Sequence, residues 1–374
     1  MRGPQTRQAV VAAFALAVSV LLVACGGGND KTTSSTAAKP AAGGGTQSAK
    51  IGLLLPETKT TRYEQHDRPT FEAKVQQLCP GCSVIYQNAS QDAQKQQSQA
   101  EAMLTNGVKV LVLDAVDPAS VGPIVKAAQA KKVPVIAYDR LISKQPIAYY
   151  VSFDNVRQGR IQAQSLVDGL GGGKKPIVMI NGAPTDPSAG DYKHGAHQVF
   201  DKGVVKIAKE YDNPDWSPDK AQREMEQAIT ALGKSGFAGV YSANDGMASG
   251  AIAAMKAAGI DPKTRPISGG DAEVAAIQRI LDGSQYSTIY LRIKEQAETS
   301  AQLAVALATG KPVPANLINA HVDNGAVKVP SVLLTPVAVT KNNVQDTVIK
   351  DGFYKASDIC TGKYEADCKA AGVS

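Results

Sequence analysis

Aromatic residues are scarce in this 374-residue chain. One Trp, six Phe and twelve Tyr make up 5% of it, beside only four His and five Cys. The histidines (His66, His194, His197 and His321) show no metal-ligand spacing on one helix face. No GxSxG, HExxH or P-loop pattern occurs, so the usual marks of a serine hydrolase, a zinc protease and a phosphate-binding loop are missing. Beyond the N-terminus there is no long apolar run, which excludes a polytopic membrane protein. Aliphatic residues are plentiful: 43% of the chain is hydrophobic and 20% charged, too apolar for disorder. The length exceeds one ordinary core, so two domains are expected.

The N-terminus changes the arithmetic. Arg2 and Arg7 precede an apolar run from Ala9 to Ala24, broken only by Ser19. A charged start, apolar centre and small-residue end make residues 1–24 a secretory signal peptide, shorter than the roughly 20 apolar residues of a spanning helix. The run ends Leu22-Val23-Ala24-Cys25, which resembles the lipobox of bacterial lipoproteins, where the cysteine is acylated and becomes the first residue. Removing residues 1–24 lowers Lys+Arg from 40 to 38 and the formal charge from +6 to +4. With no long basic run, that is no nucleic-acid footprint. Gly26–Ala49 is Gly, Ser, Thr, Ala and Lys with almost nothing bulky, a flexible tether with a reach of roughly 25–30 Å. Residues 25–49 therefore read as a lipidated Cys25 and its tether, holding the chain at an extracytoplasmic membrane face or in the periplasm.

Four cysteines remain in an oxidising compartment. Cys79 and Cys82 form one local pair and Cys360 and Cys368 another. Local disulfides are the simplest of three connectivities, with a zinc site as the competing reading of two such pairs.

From Lys50 onward, short Val- and Ile-rich runs alternate with helical spacing. Runs such as Ile51–Leu55, Val108–Leu113, Val133–Tyr138, Ile177–Ile180, Gly239–Ser242, Ile267–Gly269 and Thr288–Leu291 read as strands. Gln94–Thr105, Asn155–Leu170, Met247–Ala258 and Ile293–Ala308 are among the helices between them. The expected fold is α/β: two Rossmann-like, doubly wound parallel-sheet lobes. Extended segments near Phe153, Gln285–Tyr290 and Val329–Leu334 would cross between the lobes as a three-segment hinge. The N-terminal lobe is then 50–153 plus 288–329, and the C-terminal lobe 154–287 plus 330–374. A ligand belongs at the carboxyl ends of the strands, in the cleft.

Polar residues follow several strands directly: Asp139-Arg140 after Tyr138, Asn244-Asp245 after Ala243, Asp271 after Gly270, and Asp186 a few residues beyond Ile180. Carboxylate, amide and guanidinium groups converging on a cleft suit a neutral polyhydroxylated ligand. Each has a plainer alternative: a helix N-cap for Asp or Asn, a surface ion pair for Asp139-Arg140. The single Trp216 stands in the polar stretch Asp212–Pro218, and Tyr63 follows Arg62 in a similar loop. Aromatic faces pack on the C–H face of a pyranose, whereas a loop anchor is the plainer reading of both.

Lys50-Ile51-Gly52, Ala137-Tyr138-Asp139-Arg140, Ser152-Phe153-Asp154-Asn155, Ser242-Ala243-Asn244-Asp245, Ser268-Gly269-Gly270-Asp271 and Leu334-Thr335-Pro336…Lys341-Asn342-Asn343…Thr347–Phe353 resemble the xylose-binding proteins of bacterial ABC importers. These belong to the ribose/galactose-type (cluster B) sugar-binding group. The resemblance runs from Lys50 to about Asp358. It implies the type I periplasmic binding protein fold closing on one monosaccharide, a permease partner, a monomer, and no catalysis, cofactor or metal. Carried over by position, the sugar contacts are Arg62, Tyr63, Asp139, Arg140, Asp186, Trp216, Asn244 and Asp271. Tyr63 stands where the family usually has Trp, Ser188 where it has Asn, and Leu291 where a sugar-contacting Lys is expected. These departures bear on which sugar is bound, xylose or a related pentose or hexose such as glucose. A secreted sugar-acting enzyme, with Asp139 and Asp271 as a carboxylate pair, and a sugar sensor for a membrane receptor are the alternatives.

Overall fold

A computed structural model describes residues 48–374. The expected signal peptide, Cys25 and nearly all of the tether lie outside the described residues.

The chain passes three times between two sheets. Its first pass is β1 (Lys50–Leu55), α1 (Arg68–Leu78), β2 (Ser83–Asn88), α2 (Ala93–Thr105), β3 (Val110–Leu113), α3 (Gly122–Ala130), β4 (Val135–Tyr138) and β5 (Tyr149–Phe153). The central strands are continuous apolar runs because both faces are covered: every residue of β3 and β4 is buried, as are all but Lys50 of β1.

At Phe153–Asp154 the chain crosses. Asp154 caps α4 (Asn155–Leu170) by accepting from Arg157 N at 3.0 Å, and Gly171, at φ 67°, ends the helix. Then follow β6 (Lys175–Asn181), α5 (Pro187–Val199), β7 (Val205–Asp212), α6 (Pro218–Leu232), β8 (Gly239–Ser242), α7 (Asp245–Ala257), α8 (Val274–Asp282) and β9 (Ser287–Tyr290). The third pass is α9 (Ile293–Thr309), β10 (Ala320–Asp323) and β11 (Lys328–Leu334), after which β12 (Val337–Thr340) returns to the second lobe.

The first sheet has the order β10-β11-β5-β4-β3-β1-β2, parallel except for β10 against β11. In the second lobe β7-β6-β8 is parallel. Ile267 extends it by bridging Val240, and its carbonyl accepts from Tyr286 N and Ser287 N, so β9 and its antiparallel partner β12 continue the layer. The expected strand Ile267–Gly269 is thus reduced to a bridge.

Two crossings fall later than the expected bounds at 288 and 330. Residue 288 lies inside β9, which pairs with β12 in the second lobe, and residue 330 lies inside β11, which pairs with β5 in the first. The crossings run through Leu291-Arg292 and Thr335-Pro336. An apolar run shows that a strand exists but not which sheet it joins. Disulfides join Cys79 to Cys82 and Cys360 to Cys368, the local pairing, in place of a zinc site. Among the described residues no helix is long and apolar enough to cross a membrane.

Candidate functional site

The carboxyl ends of both sheets face one another across a cavity enclosing about 340 Å³ of atom-free space, part of it open to solvent. Thr60, Arg62, Tyr63, Asp139 and Arg140 line it from the first lobe. Gln158, Asp186, Tyr192, Trp216, Ala243, Asn244 and Asp271 line it from the second.

On the first lobe the loop after β1 is held by Glu57, whose buried carboxylate accepts from the backbone N–H groups of Lys59 and Thr60. It delivers Arg62 and Tyr63 to a π-helical turn, Tyr63–Asp67. The Arg62 guanidinium forks onto Asp67 at 2.8 and 3.0 Å and reaches Asp139 Oδ1 at 3.3 Å. Tyr63 donates its hydroxyl to Asp139 Oδ2 at 3.3 Å. Gln296, on α9, donates to the same carboxylate at 3.2 Å. Arg140 Nη1 donates to the carbonyls of Ala115 and Val116, while its Nε forms an ion pair with Asp186 Oδ2 at 2.9 Å, across the cleft. Both guanidiniums are buried, yet nearby carboxylates outweigh desolvation and keep them charged.

The second lobe presents residues with two duties. Asp186 caps α5, accepting from Ser188 N at 2.8 Å, and Asn244 caps α7, accepting from Met247 N at 2.9 Å. Both also line the cavity, so a residue capping a helix here faces it as well, the cap fixing the rotamer. Trp216 packs edge-on to Tyr192, centroids 6.5 Å apart, and lies directly on Gly182. A Cβ at Gly182 would come within 2.0 Å of the indole, so only glycine admits the ring. Trp216 is thus an anchor in its own lobe and a cavity wall at once.

Strain concentrates here. Of nine non-glycine residues at positive φ among the described residues, Asp139 (61°), Trp216 (61°) and Asp271 (88°) all line the cavity. Such backbone persists only where its surroundings over-determine it. Ser152 Oγ donates to the Asp139 carbonyl at 2.7 Å, and Asp271 N donates to Ile289 O at 2.9 Å.

Burial pushes the carboxyls of Asp114, Asp186 and Asp271 up; Arg140 opposes it at the first two and Arg62 at the third. Burial likewise raises the Tyr63 and Tyr192 phenols, which stay neutral donors. The walls therefore offer carboxyl, amide and phenol groups, two compensated guanidiniums and aromatic rings on opposite lobes. That set suits a neutral molecule bearing many hydroxyl groups.

Eight of the ten expected contacts line the cavity. Ser188 stands behind the wall, its Oγ accepting from Asn155 Nδ2 at 3.1 Å and lying 3.4 Å from the Asp139 carbonyl. Leu291 is buried in the first lobe's core with Ile289 and Ile293 and does not line the cavity, because the chain enters α9 there. Neighbouring Arg292 turns to Glu295 and Asp351. Gln158 and Tyr192 were not expected. They sit on α4 and α5, whose backbones touch: a Cβ at Gly159 would meet Tyr192 O at 2.0 Å. The glycines Gly159 and Gly195, facing each other's helices, were the one available signal.

Residues 51–312 match the family model described as a periplasmic binding protein domain. Over 317 residues the chain is 38% identical to the D-xylose-binding periplasmic protein of Escherichia coli (strain K12), covering 84% of this chain and 93% of that one. It is 33% identical over 328 residues to the multiple sugar-binding periplasmic receptor ChvE of Rhizobium radiobacter, covering 83% and 92%. An ABC transporter solute binding protein from Clostridium phytofermentans, solved with bound β-D-glucose, matches with a TM-score of 0.74 at 28% identity, covering 83% of this chain and 99% of that one. These relatives are solute-binding proteins, not enzymes.

Proposed function

The chain belongs to the periplasmic binding protein family, and on that footing we propose that it captures one monosaccharide in the inter-lobe cavity and hands it to an ABC importer. The observation that carries this reading is the cavity wall itself: aromatic rings and carboxyls from both lobes, with two fixed guanidiniums from the first. Tyr63 and Trp216 stack on the sugar ring. Asp139, Asp186 and Asp271 accept from its hydroxyl groups, and Arg62, Arg140 and Asn244 donate to its oxygens. No bond is broken. Binding favours the closed arrangement, and that closed surface is what the permease reads.

Beside the Arg140–Asp186 ion pair across the cleft, one loop of the first lobe also holds closure. Lys59 Nζ donates to Ser217 Oγ at 2.7 Å and to Asp215, flanking Trp216, and Thr61 Oγ1 donates to Glu273 at 3.0 Å, two residues from Asp271. The same loop carries Arg62 and Tyr63, so grip on the ligand and closure are mechanically joined. Opening rotates the lobes about the three crossings.

The ligand class is xylose or a related pentose or hexose such as glucose. An acylated Cys25 holds the monomer outside the cytoplasmic membrane, with no membrane contact beyond the lipid. Equilibrium dialysis against a monosaccharide panel, with chromatography of the recovered sugar, tests the reading: retention of an unchanged sugar supports it, and a new product refutes it. For the anchor, Cys25→Ser is expected to release the protein from membranes, and continued membrane association would count against acylation.

A further inference from the structure

We propose that Gln158 is a ligand-contacting, specificity-setting residue, its carboxamide engaging one particular sugar hydroxyl from the floor of the second lobe; this rests on the monosaccharide reading. The inner face of α4 carries Asn155, Gln158 and Gln162, spaced so that they stack along one side of the helix. All three are buried, but their polar atoms are used differently. Gln162 is spent on the fold: its Nε2 donates to Ser242 O and Gly269 O at 2.6 and 2.9 Å, and its Oε1 accepts from the Tyr241 hydroxyl at 3.4 Å. Asn155 donates to Ser188 and does not line the cavity.

Gln158, one turn nearer the cleft than Gln162, does line it. It is 1% exposed, and its Oε1 finds no hydrogen-bond partner. A buried carbonyl oxygen without a donor costs folding free energy. A polar group kept unpaired at the wall of a binding cavity is one whose partner arrives with the ligand. The carboxamide is also held in place. Asp154 caps the helix one turn before it, the Gln158 backbone N–H donates to Asp154 O at 2.9 Å, and the touching α4 and α5 backbones fix the helix axis. Its Nε2 lies 3.6 Å from where a Cβ on Gly270 would be, which sets the amide beside Asp271 and the Ala243-Asn244 turn. A carboxamide presents an acceptor and a donor together, so it reads a hydroxyl by both its proton and its oxygen. A site built this way rejects the analogue lacking that hydroxyl far better than an apolar wall does.

The test is calorimetric titration of the parent protein and Gln158→Met with D-xylose, D-glucose and their monodeoxy analogues, beside melting of the sugar-free proteins. Met matches the shape and removes both polar atoms. The parent is expected to bind at least one of the two sugars and to lose about 10-fold or more on one deoxy analogue facing Gln158. Gln158→Met is expected to bind the parent sugar roughly 10–100-fold more weakly, with no further loss on that analogue and the usual losses on the others. Its sugar-free melting temperature should not fall, since no protein hydrogen bond to Oε1 is removed. An unchanged affinity and deoxy profile in Gln158→Met overturns the proposal, as does a uniform loss across all analogues at a parental melting temperature. Should Gln158→Met melt well below the parent, Gln158→Glu, which keeps the shape and an acceptor oxygen, replaces it. It should retain the discrimination at the facing hydroxyl, and its loss would also overturn the assignment. A parent that binds neither sugar overturns the monosaccharide reading and this proposal together, whereas binding with an unchanged variant profile overturns this proposal alone.

Discussion

Gly182→Ala perturbs the stacking wall without replacing any group proposed to contact the sugar. The added methyl would lie 2.0 Å from Trp216 Cη2 and 2.2 Å from Cζ2, where ordinary contact begins at 3.4 Å. One ring must therefore move by about 1.4 Å. The indole lines the cavity beside Tyr192, so a shift of the ring is expected to take up space the sugar needs. A displacement of that size at a stacking surface should weaken binding about 10–100-fold, equivalent to roughly 1.4–2.8 kcal/mol. The same overlap should lower stability by about 1–3 kcal/mol, the usual effect of overpacking. Calorimetry with D-xylose and D-glucose gives the affinity, and thermal unfolding gives the stability. Because Trp216 is the only tryptophan in the chain, indole emission reports the wall directly: the variant's emission should differ from the parent's before any sugar is added. A Gly182→Ala protein that binds with parental affinity and shows parental emission would refute the claim that Trp216 is a wall of the ligand site.

The remaining expectations concern closure and the cross-links. Lys59→Ala removes the side chain that reaches Asp215 and Ser217 from the opposite lobe. Being partly exposed, it should speed sugar dissociation only a few-fold in stopped flow, with association little changed; an unchanged dissociation rate would remove Lys59 from the closing contacts. Burial acts to raise the Asp215 carboxyl, but hydrogen bonds from Lys220 and Lys59 outweigh it and hold it at about 2. Its contribution is thus complete above the ordinary carboxylate value near 3.8 and is lost as pH falls from there toward 2. The melting difference between parent and Asp215→Asn should be seen at pH 6 and vanish near pH 2; a constant difference would contradict the pairing. Replacing Cys360 and Cys368 together by Ser opens a short loop beside Ile359 and Val373, with an expected loss of about 2–3 kcal/mol in chemical denaturation and little effect on the distant cavity.

The strand-end positions were legible because each places a charged or amide group immediately beyond an apolar run. Asp139, Arg140 and Asp271 each had a plainer structural reading alone, and only their recurrence at several strand ends pointed to a cleft, while scarcity made Trp216 conspicuous. Less legible was anything delivered by a helix. α5, reading Pro187–Val199, buries only a weak stripe of small residues and one ring (Ala189, Tyr192, Ala196, Val199), which does not stand out from its polar positions, and Gly195 serves a backbone contact with α4. Gln158 on α4 looks like any helix-interior polar residue until the neighbouring elements show that Gln162 is satisfied and Gln158 is not. Leu291 failed for a different reason. Its position in the chain marks it as a ligand contact, but at the lobe crossing its side chain joins Ile289 and Ile293 in the core. The same limit moved two lobe boundaries: pairing of β9 with β12 and of β11 with β5 is a long-range fact that local apolar pattern does not carry.

The central claim is that the two lobes close on a single neutral monosaccharide and do nothing chemical to it. Isothermal titration of the folded protein with D-xylose and D-glucose, extended to other pentoses and hexoses, tests it most directly. Saturable one-to-one binding of at least one of them, with the sugar recovered unchanged, is the expected result. Absence of binding across the whole panel, or recovery of a transformed sugar, would contradict it.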